Sequence, residues 1–193
     1  MSLIDPSYRF GVGIILLNKE KEVFVAHRYK NGPGTETLQA PILEEDQKRI
    51  KENKTLDQFE HKSFPDLRDY LWQMPQGGID EGESVEETAL RELFEETGIT
   101  SVKILKVGEK DYFYDLPEAL SLKVWGGKYK GQCQRWVLMM FLGEDFEINL
   151  ESHDIQEFDA WRWISPNVLP DIVTPFKRDL YKELLIDFEL TQS

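Results

Sequence analysis

The sequence predicts an α+β fold in which a central mixed sheet lies between helices, and three observations predict it. Runs rich in β-branched and aromatic residues recur at 10–17, 22–28, 102–114, 133–142 and 158–164. One helix pattern, Val85 to Thr97, interrupts these runs and carries capping residues at both ends. A second, amphipathic pattern closes the chain over 175–190.

Each element has a local reason. The first two runs are separated by Asn18, Lys19 and Glu20, a polar turn that makes them a hairpin. From Asn31 the composition changes to Gly32, Pro33 and Gly34, followed by a charged stretch in which Ile50, Leu56 and Phe59 are widely spaced. A stripe that thin does not pack, so about 34–70 reads as an inserted surface excursion. Order returns at Leu71 with Trp72, Met74 and Pro75, and the Gly77 and Gly78 loop then leads into the helix. Ser84 with Glu87 forms a capping box, and Gly98 supplies the stop. In the last helix Leu180, Leu184 and Phe188 fall on one side.

At 193 residues, 40% of them hydrophobic, the chain suits a single domain spanning 1–193. No apolar run reaches the roughly eighteen residues a membrane span needs, and the first ten residues lack the pattern of a secretory signal, so a cytoplasmic protein without membrane contact is expected. Cys133 has no cysteine partner and reads as a buried structural thiol. His27, His61 and His153 are too far apart for a local metal motif and read as structural or surface residues. A net charge of −13 excludes a protein that coats nucleic acid through a broad basic face. A cation bridging carboxylates to phosphates still allows an acidic protein to hold a polyanion at one point, so a nucleic acid would be held by its end.

At about 100° per residue, Glu92, Glu95 and Glu96 share one helix face, and Leu90, Leu93 and Phe94 are expected to pack on the other. Three carboxylates spaced by three and four positions repel, and they lie in the half where the helix dipole disfavours anions. A hard divalent cation such as Mg²⁺ or Mn²⁺ compensates them best. A solvated acidic face is the plain alternative.

Gly77, five residues, Glu83, seven residues, then Arg91, Glu92, Leu93, Phe94, Glu95, Glu96, Thr97, Gly98 and Ile99 match the fixed positions of the Nudix box. The chain therefore resembles the Nudix hydrolase family, which implies an α/β/α sandwich and metal-dependent cleavage of a phosphoanhydride. Carried over by position, Glu92, Glu95 and Glu96 hold the metals, a carbonyl of the Gln76 to Gly77 loop adds a ligand, and Glu95 is the expected base. The resemblance makes Glu83 and Arg91 a salt bridge that fixes the loop against the helix, with Gly77 and Gly98 as structural positions of the box.

Outside the box, Tyr8 and Arg9, Ala26 to Arg28, Trp72 to Gly78, Tyr114 to Pro117, Val124 to Arg135, Glu147 to Asn149, Phe158 to Trp163 and Phe176 to Tyr181 look like the bacterial RNA pyrophosphohydrolases. Dinucleoside polyphosphate hydrolases share much of this pattern. The resemblance implies conversion of an RNA 5′ triphosphate end to a monophosphate, with a dinucleoside polyphosphate as the alternative substrate and a catalytically silent binding module as a third reading. It assigns Arg9, Arg28, Tyr114 and Lys177 to phosphate or RNA contacts, Phe176 to base stacking and Glu147 to a further metal ligand. Taken singly, Arg28 is equally a surface cation, Tyr114 and Phe176 core residues, and Glu147 a loop acid. Lys123, Lys128, Lys130 and Arg135, with Trp125 and Tyr129 among them, read as a solvated hairpin or a track for RNA beyond its first nucleotides. Two departures stand out: Phe10 and Gly11 replace the family's Pro and Asn, and the insertion lies where the family fold has its substrate mouth.

Overall fold

The computed structural model describes residues 5–29, 71–153 and 156–191, with 48 and 52 as isolated positions and the side chains of 119, 120, 123 and 124 left aside. Apart from those two positions, the insertion expected at about 34–70 lies outside the described residues, as do His61 and the side chain of Lys123.

The fold centres on a mixed seven-stranded sheet. Strands β1 (Tyr8–Leu17) and β6 (Gly131–Phe141) run parallel along their length, from Tyr8 beside Gly131 to Leu17 beside Met140. β5 (Val102–Asp115) flanks β6 antiparallel. On the other side, β2 (Val23–Arg28) pairs antiparallel with β1, β3 (Trp72–Gln73) and β7 (Phe158–Ile164). The short β4 (Gln76–Gly78) lies antiparallel to the start of β1. Gly11 and Gly78 face each other there, and a Cβ on Gly11 would strike the Gly77 carbonyl. The departure from the family at Gly11 therefore lets β4 approach β1 closely.

β1 is buried from Gly11 to Leu17 because both faces of the sheet are covered. On one face, Val12, Ile14, Leu16, Phe24, Val137 and Met139 pack beneath helix α1 (Val85–Thr97). On the other, Ile15, Val25, Trp72, Trp136 and Leu138 pack against the C-terminal segment. Between β5 and β6 the chain forms helix α2 (Glu118–Trp125), so the basic stretch read as a hairpin begins in a helix. A short α3 (Leu169–Ile172) follows β7.

The expected helix at 175–190 is a 3-10 turn at Pro175–Lys177 followed by α4 (Arg178–Asp187), because Pro175 occupies the first position of the turn. Leu180, Tyr181, Leu184, Leu185 and Phe188 are buried along it, and the Trp136 and Tyr181 rings meet edge to face at 5.9 Å.

Helix α1 is capped as the sequence predicts, with both bonds of the Ser84 and Glu87 box present and Gly98 left-handed at φ 70°. Its packing face differs from the expectation. Thr88, Ala89, Leu93, Glu96 and Thr97 are buried, whereas Leu90 is 41% and Phe94 44% exposed. On the helical wheel Ala89 and Leu93 lie nearer Glu96 than Leu90 and Phe94 do. The sheet therefore receives the small and glutamate-bearing stripe, and the acidic face turns partly inward. Among the described residues no helix is long and apolar enough to cross a membrane.

Candidate active site

The box begins with a framework built on Arg91. Its guanidinium donates to Glu83 Oε1 at 2.7 Å and Oε2 at 2.8 Å, and to the Gly78 carbonyl at 2.9 Å. Glu83 also accepts from Thr88 Oγ1 at 2.9 Å and the Asp80 amide at 3.2 Å. Arg91 holds the Glu83 carboxyl down to about 2. Loop and helix are thus tied together by charge-assisted bonds.

The three glutamates divide their contacts. Arg91 donates to Glu92 Oε1 at 2.8 Å and Glu95 Oε2 at 3.1 Å, while Glu96 turns inward and accepts from the Gln76 amide at 3.1 Å. With Arg91 drawing two carboxylates aside, the described acidic side chains do not close on one point as a finished cation cage. Their surroundings nevertheless fit a cation. Glu96 is 6% exposed, and burial, with repulsion from Glu157 and Glu92, raises its carboxyl well above the usual range. Burial also raises Glu92, against the pull of Arg91. A Cβ on Gly77 would overlap the Glu92 carboxylate, so the loop backbone lies directly against it. A divalent cation relieves this crowding of buried negative oxygen.

The structure brings most of the remaining sequence-predicted residues to the same place. Arg28, at the end of β2, pairs with Glu157 at 3.4 Å, and its charge acts on Glu96, Lys177 and Tyr114. Arg9 rests its guanidinium against Gly78. Lys177 is 4% exposed and donates to Gln76 Oε1 at 2.9 Å. Burial, reinforced by repulsion from Arg28 and opposed by Glu96, lowers its amine to about 7. Tyr114 stacks on Phe176 with centroids 6.0 Å apart, and Lys177 Nζ lies 5.1 Å over the Tyr114 ring. Buried Tyr114 donates to Gln132 at 2.6 Å, so its hydroxyl is engaged inside the protein.

Glu147 is engaged by other partners. Its carboxylate accepts from Ser101 Oγ at 2.6 Å and the Glu144 amide at 2.8 Å, capping a 3-10 turn. Those bonds lower its pKa. The acid that acts on Glu92 and Glu96 from beyond the box is Glu157, just before β7, which the sequence reading passed over. Its place immediately before the β7 pattern was the available signal. Also unforeseen were Gln132 and Gln134, which link Tyr114 to Gln76, and Tyr181, whose hydroxyl accepts from the Met74 amide at 3.1 Å. Buried His27 meets Asp159 at 2.5 Å beside the Trp72 ring.

The NUDIX domain family matches residues 56–184. The chain is 39% identical to an RNA pyrophosphohydrolase of Novosphingobium aromaticivorans over 94% of its length and 92% of that protein's. It is 46% identical to an RNA pyrophosphohydrolase of Erythrobacter litoralis over 95% of its length and 92% of the relative's. Among solved structures, the fold is similar to the E. coli dihydroneopterin triphosphate pyrophosphohydrolase, with a TM-score of 0.58 at 13% identity over 93% of this chain and 97% of that one.

Proposed function

Since the chain belongs to the Nudix family and is a Nudix hydrolase, we propose that it converts the 5′ triphosphate end of RNA to a 5′ monophosphate, releasing pyrophosphate or phosphate. One observation carries this reading: acidic Glu92, Glu96 and Glu157 converge with cationic Arg28 and Lys177 beside the stacked Tyr114 and Phe176 rings. Carboxylates alone repel a polyphosphate, and cations alone have no need of them. Together, with an aromatic ring, they suit a phosphate chain bridged by metal and ending in a base.

Nudix hydrolases require a divalent cation, and the oxygen donors here favour Mg²⁺, with Mn²⁺ as substitute. Glu92, Glu95, Glu96 and the Gln76 to Gly77 carbonyls would hold it, with Glu157 completing the set in place of Glu147. Bound there, it supplies the charge that neutralises phosphate oxygens and makes a bound water nucleophilic near neutral pH.

The protein groups do the rest. Arg28, Arg9 and Lys177 hold the phosphates, and Phe176 offers its ring to the first bases. Glu95, with 34% of its side chain exposed against 15% for Glu92, is open to water and takes its proton. Water adds in line to the α phosphorus, the bond to the β phosphate breaks and pyrophosphate leaves as the RNA keeps one phosphate; attack at the γ and then the β phosphorus releases two phosphates in turn and ends at the same product.

The experiment compares kcat/KM for a short 5′ triphosphorylated RNA and diadenosine tetraphosphate in Mg²⁺, with Glu96→Gln as the blank. A clear preference for RNA is expected. Preference for the dinucleotide replaces this reading with clearance of small polyphosphates, and activity no higher than the blank on both substrates replaces it with a binding module.

A further inference from the structure

Among the described residues, three aromatic side chains at the end of the sheet where β1 begins lie outside both core clusters. Tyr8 and Phe10 alternate onto the same face of β1 as Val12 and Ile14, beyond the part covered by α1. Phe10 lies beside Cys133 in the β1 and β6 register, and Phe113 lies beside Cys133 from β5. Three neighbouring strands thus carry Phe10, Cys133 and Phe113 at one level. Cys133 is buried between them, Phe113 is 50% exposed, Tyr8 and Phe10 are half-buried, and none of the three rings belongs to either core cluster. Tyr8 and Phe113 meet edge to face at 5.0 Å.

Cations border this face. Lys130 Nζ lies 4.4 Å over the Tyr8 ring and 3.5 Å from Asp5, and Lys128 Nζ lies 5.0 Å over Tyr129, itself packed on Trp125. Arg135 is engaged by Asp111 at 2.6 Å and Asp115 accepts from the Tyr8 hydroxyl at 2.8 Å, so the amines that overlie the aromatic rings are those of Lys128 and Lys130, the latter shared with Asp5.

The patch is continuous with the site through a single strand. Arg9, between Tyr8 and Phe10, lies against Gly78 in the phosphate loop. One stretch of β1 therefore serves the phosphates through Arg9 and presents its aromatic rings on the far face. A chain leaving the site over the start of β1 meets Tyr8, Lys130, Phe10 and Phe113 next. Aromatic rings on neighbouring strands, with lysines at the rim, suit unpaired bases and their phosphates.

We infer that the face formed by Tyr8, Phe10 and Phe113, with Lys128 and Lys130 at its rim, binds the nucleotides of single-stranded RNA that follow those held in the active site. This rests on the reading that RNA 5′ ends are the substrate.

The test measures KM and kcat on 5′ triphosphorylated RNAs of about two and about ten nucleotides, lengths chosen to stop short of the face or reach it. For the unaltered protein the longer RNA has the lower KM. Phe113→Ala, at an exposed position, raises KM for the longer RNA about fivefold or more and leaves kcat and the short RNA unchanged; Phe113→Trp restores the difference. A KM independent of length, or an equal effect of Phe113→Ala on both RNAs, overturns the inference while leaving RNA turnover intact.

A second arm needs no turnover. Fluorescence anisotropy of a ten-nucleotide 5′ hydroxyl RNA shows binding that weakens with Phe113→Ala and with salt, and this result stands even if the protein hydrolyses no RNA. Self-association lost in Phe113→Ala, without RNA binding, assigns the face to a second copy of the chain and overturns the inference.

Discussion

In the box half of the active site, the bonds that fix the side chains are local. Arg91 reaches Glu92 next door, Glu83 eight positions back and the Gly78 carbonyl thirteen back. In the half that faces it, Lys177 reaches Gln76 across 101 positions, and the Met74 amide reaches Tyr181 across 107. The box half is partly open to water, with Arg91 at 26% side-chain exposure, while Lys177 and Tyr181 are 4% and 1% exposed. One helix and its loop suffice to shape the first. The second exists only once the C-terminal segment has docked on the sheet. Substitutions in the box should therefore change chemistry with little loss of stability, and those in the facing half should separate by whether they touch substrate or hold the frame.

The largest effect is expected at Glu96, the box residue that reaches farthest into the facing half. Glu96→Gln keeps an acceptor for the Gln76 amide and removes a charge that burial, Glu157 and Glu92 all disfavour. We expect kcat/KM to fall on the order of 10²–10³-fold, the range for removing one group that stabilises transition-state charge. In metal-free buffer the thermal midpoint should rise in the same variant, because an active-site charge is held at a cost to stability. Chelation of divalent cations should abolish the activity of the unaltered enzyme. A lower midpoint in Glu96→Gln would make Glu96 part of the frame and erase the contrast between the halves.

Lys177→Met sharpens the other side. It removes a buried amine that donates to Gln76 and, in the proposed function, to phosphate. A hydrogen bond to a charged group is worth about 1.5–3 kcal/mol, so kcat/KM should fall roughly ten- to hundredfold, mainly through KM. Tyr181→Phe, in the same half, should act on the frame. It leaves the buried Met74 amide without its acceptor, for a loss of about 1–3 kcal/mol in unfolding free energy by denaturant titration. Its effect on KM should be smaller than that of Lys177→Met, and the reverse order would show that Tyr181 meets substrate.

The two halves also differ in how far the sequence disclosed them. The shared helix face of Glu92, Glu95 and Glu96 was legible because helix periodicity and the capping signals act over a few residues, whereas the Glu83 and Arg91 pair was implied by the resemblance to the box. The helix was nonetheless expected to turn the wrong stripe inward, since a count of apolar residues favours Leu90 and Phe94, and only the position of the sheet makes Ala89, Leu93 and Glu96 the packed side. Glu147 and Glu157 are both acids near the β7 pattern. Tertiary contacts separate them: Ser101 captures Glu147, whereas Glu157 pairs with Arg28 and acts on Glu96. No local spacing encodes that choice. The glutamines that join Tyr114 to Gln76 were equally hidden, because β4 must first lie against β1.

The smallest effect concerns the frame of the box itself, and its sign separates Glu83 from Glu96. Arg91 lowers the Glu83 carboxyl in the folded chain from 4.5 to about 2. A carboxyl lowered by folding contributes stability that is fully present above pH 4.5 and is lost as pH falls through about 2. In metal-free buffer, Glu83→Gln should melt below the unaltered protein at neutral pH, and the gap should narrow from pH 4.5 downward. Glu96 is raised by folding, so its charge is unfavourable at high pH and absent when it is protonated. Glu96→Gln should therefore melt above the unaltered protein at high pH, with a gap that also closes as pH falls but from the opposite side. If both gaps share one sign, Glu83 and Glu96 belong to a single electrostatic unit, and the division between a locally fixed frame and a strained catalytic carboxylate fails.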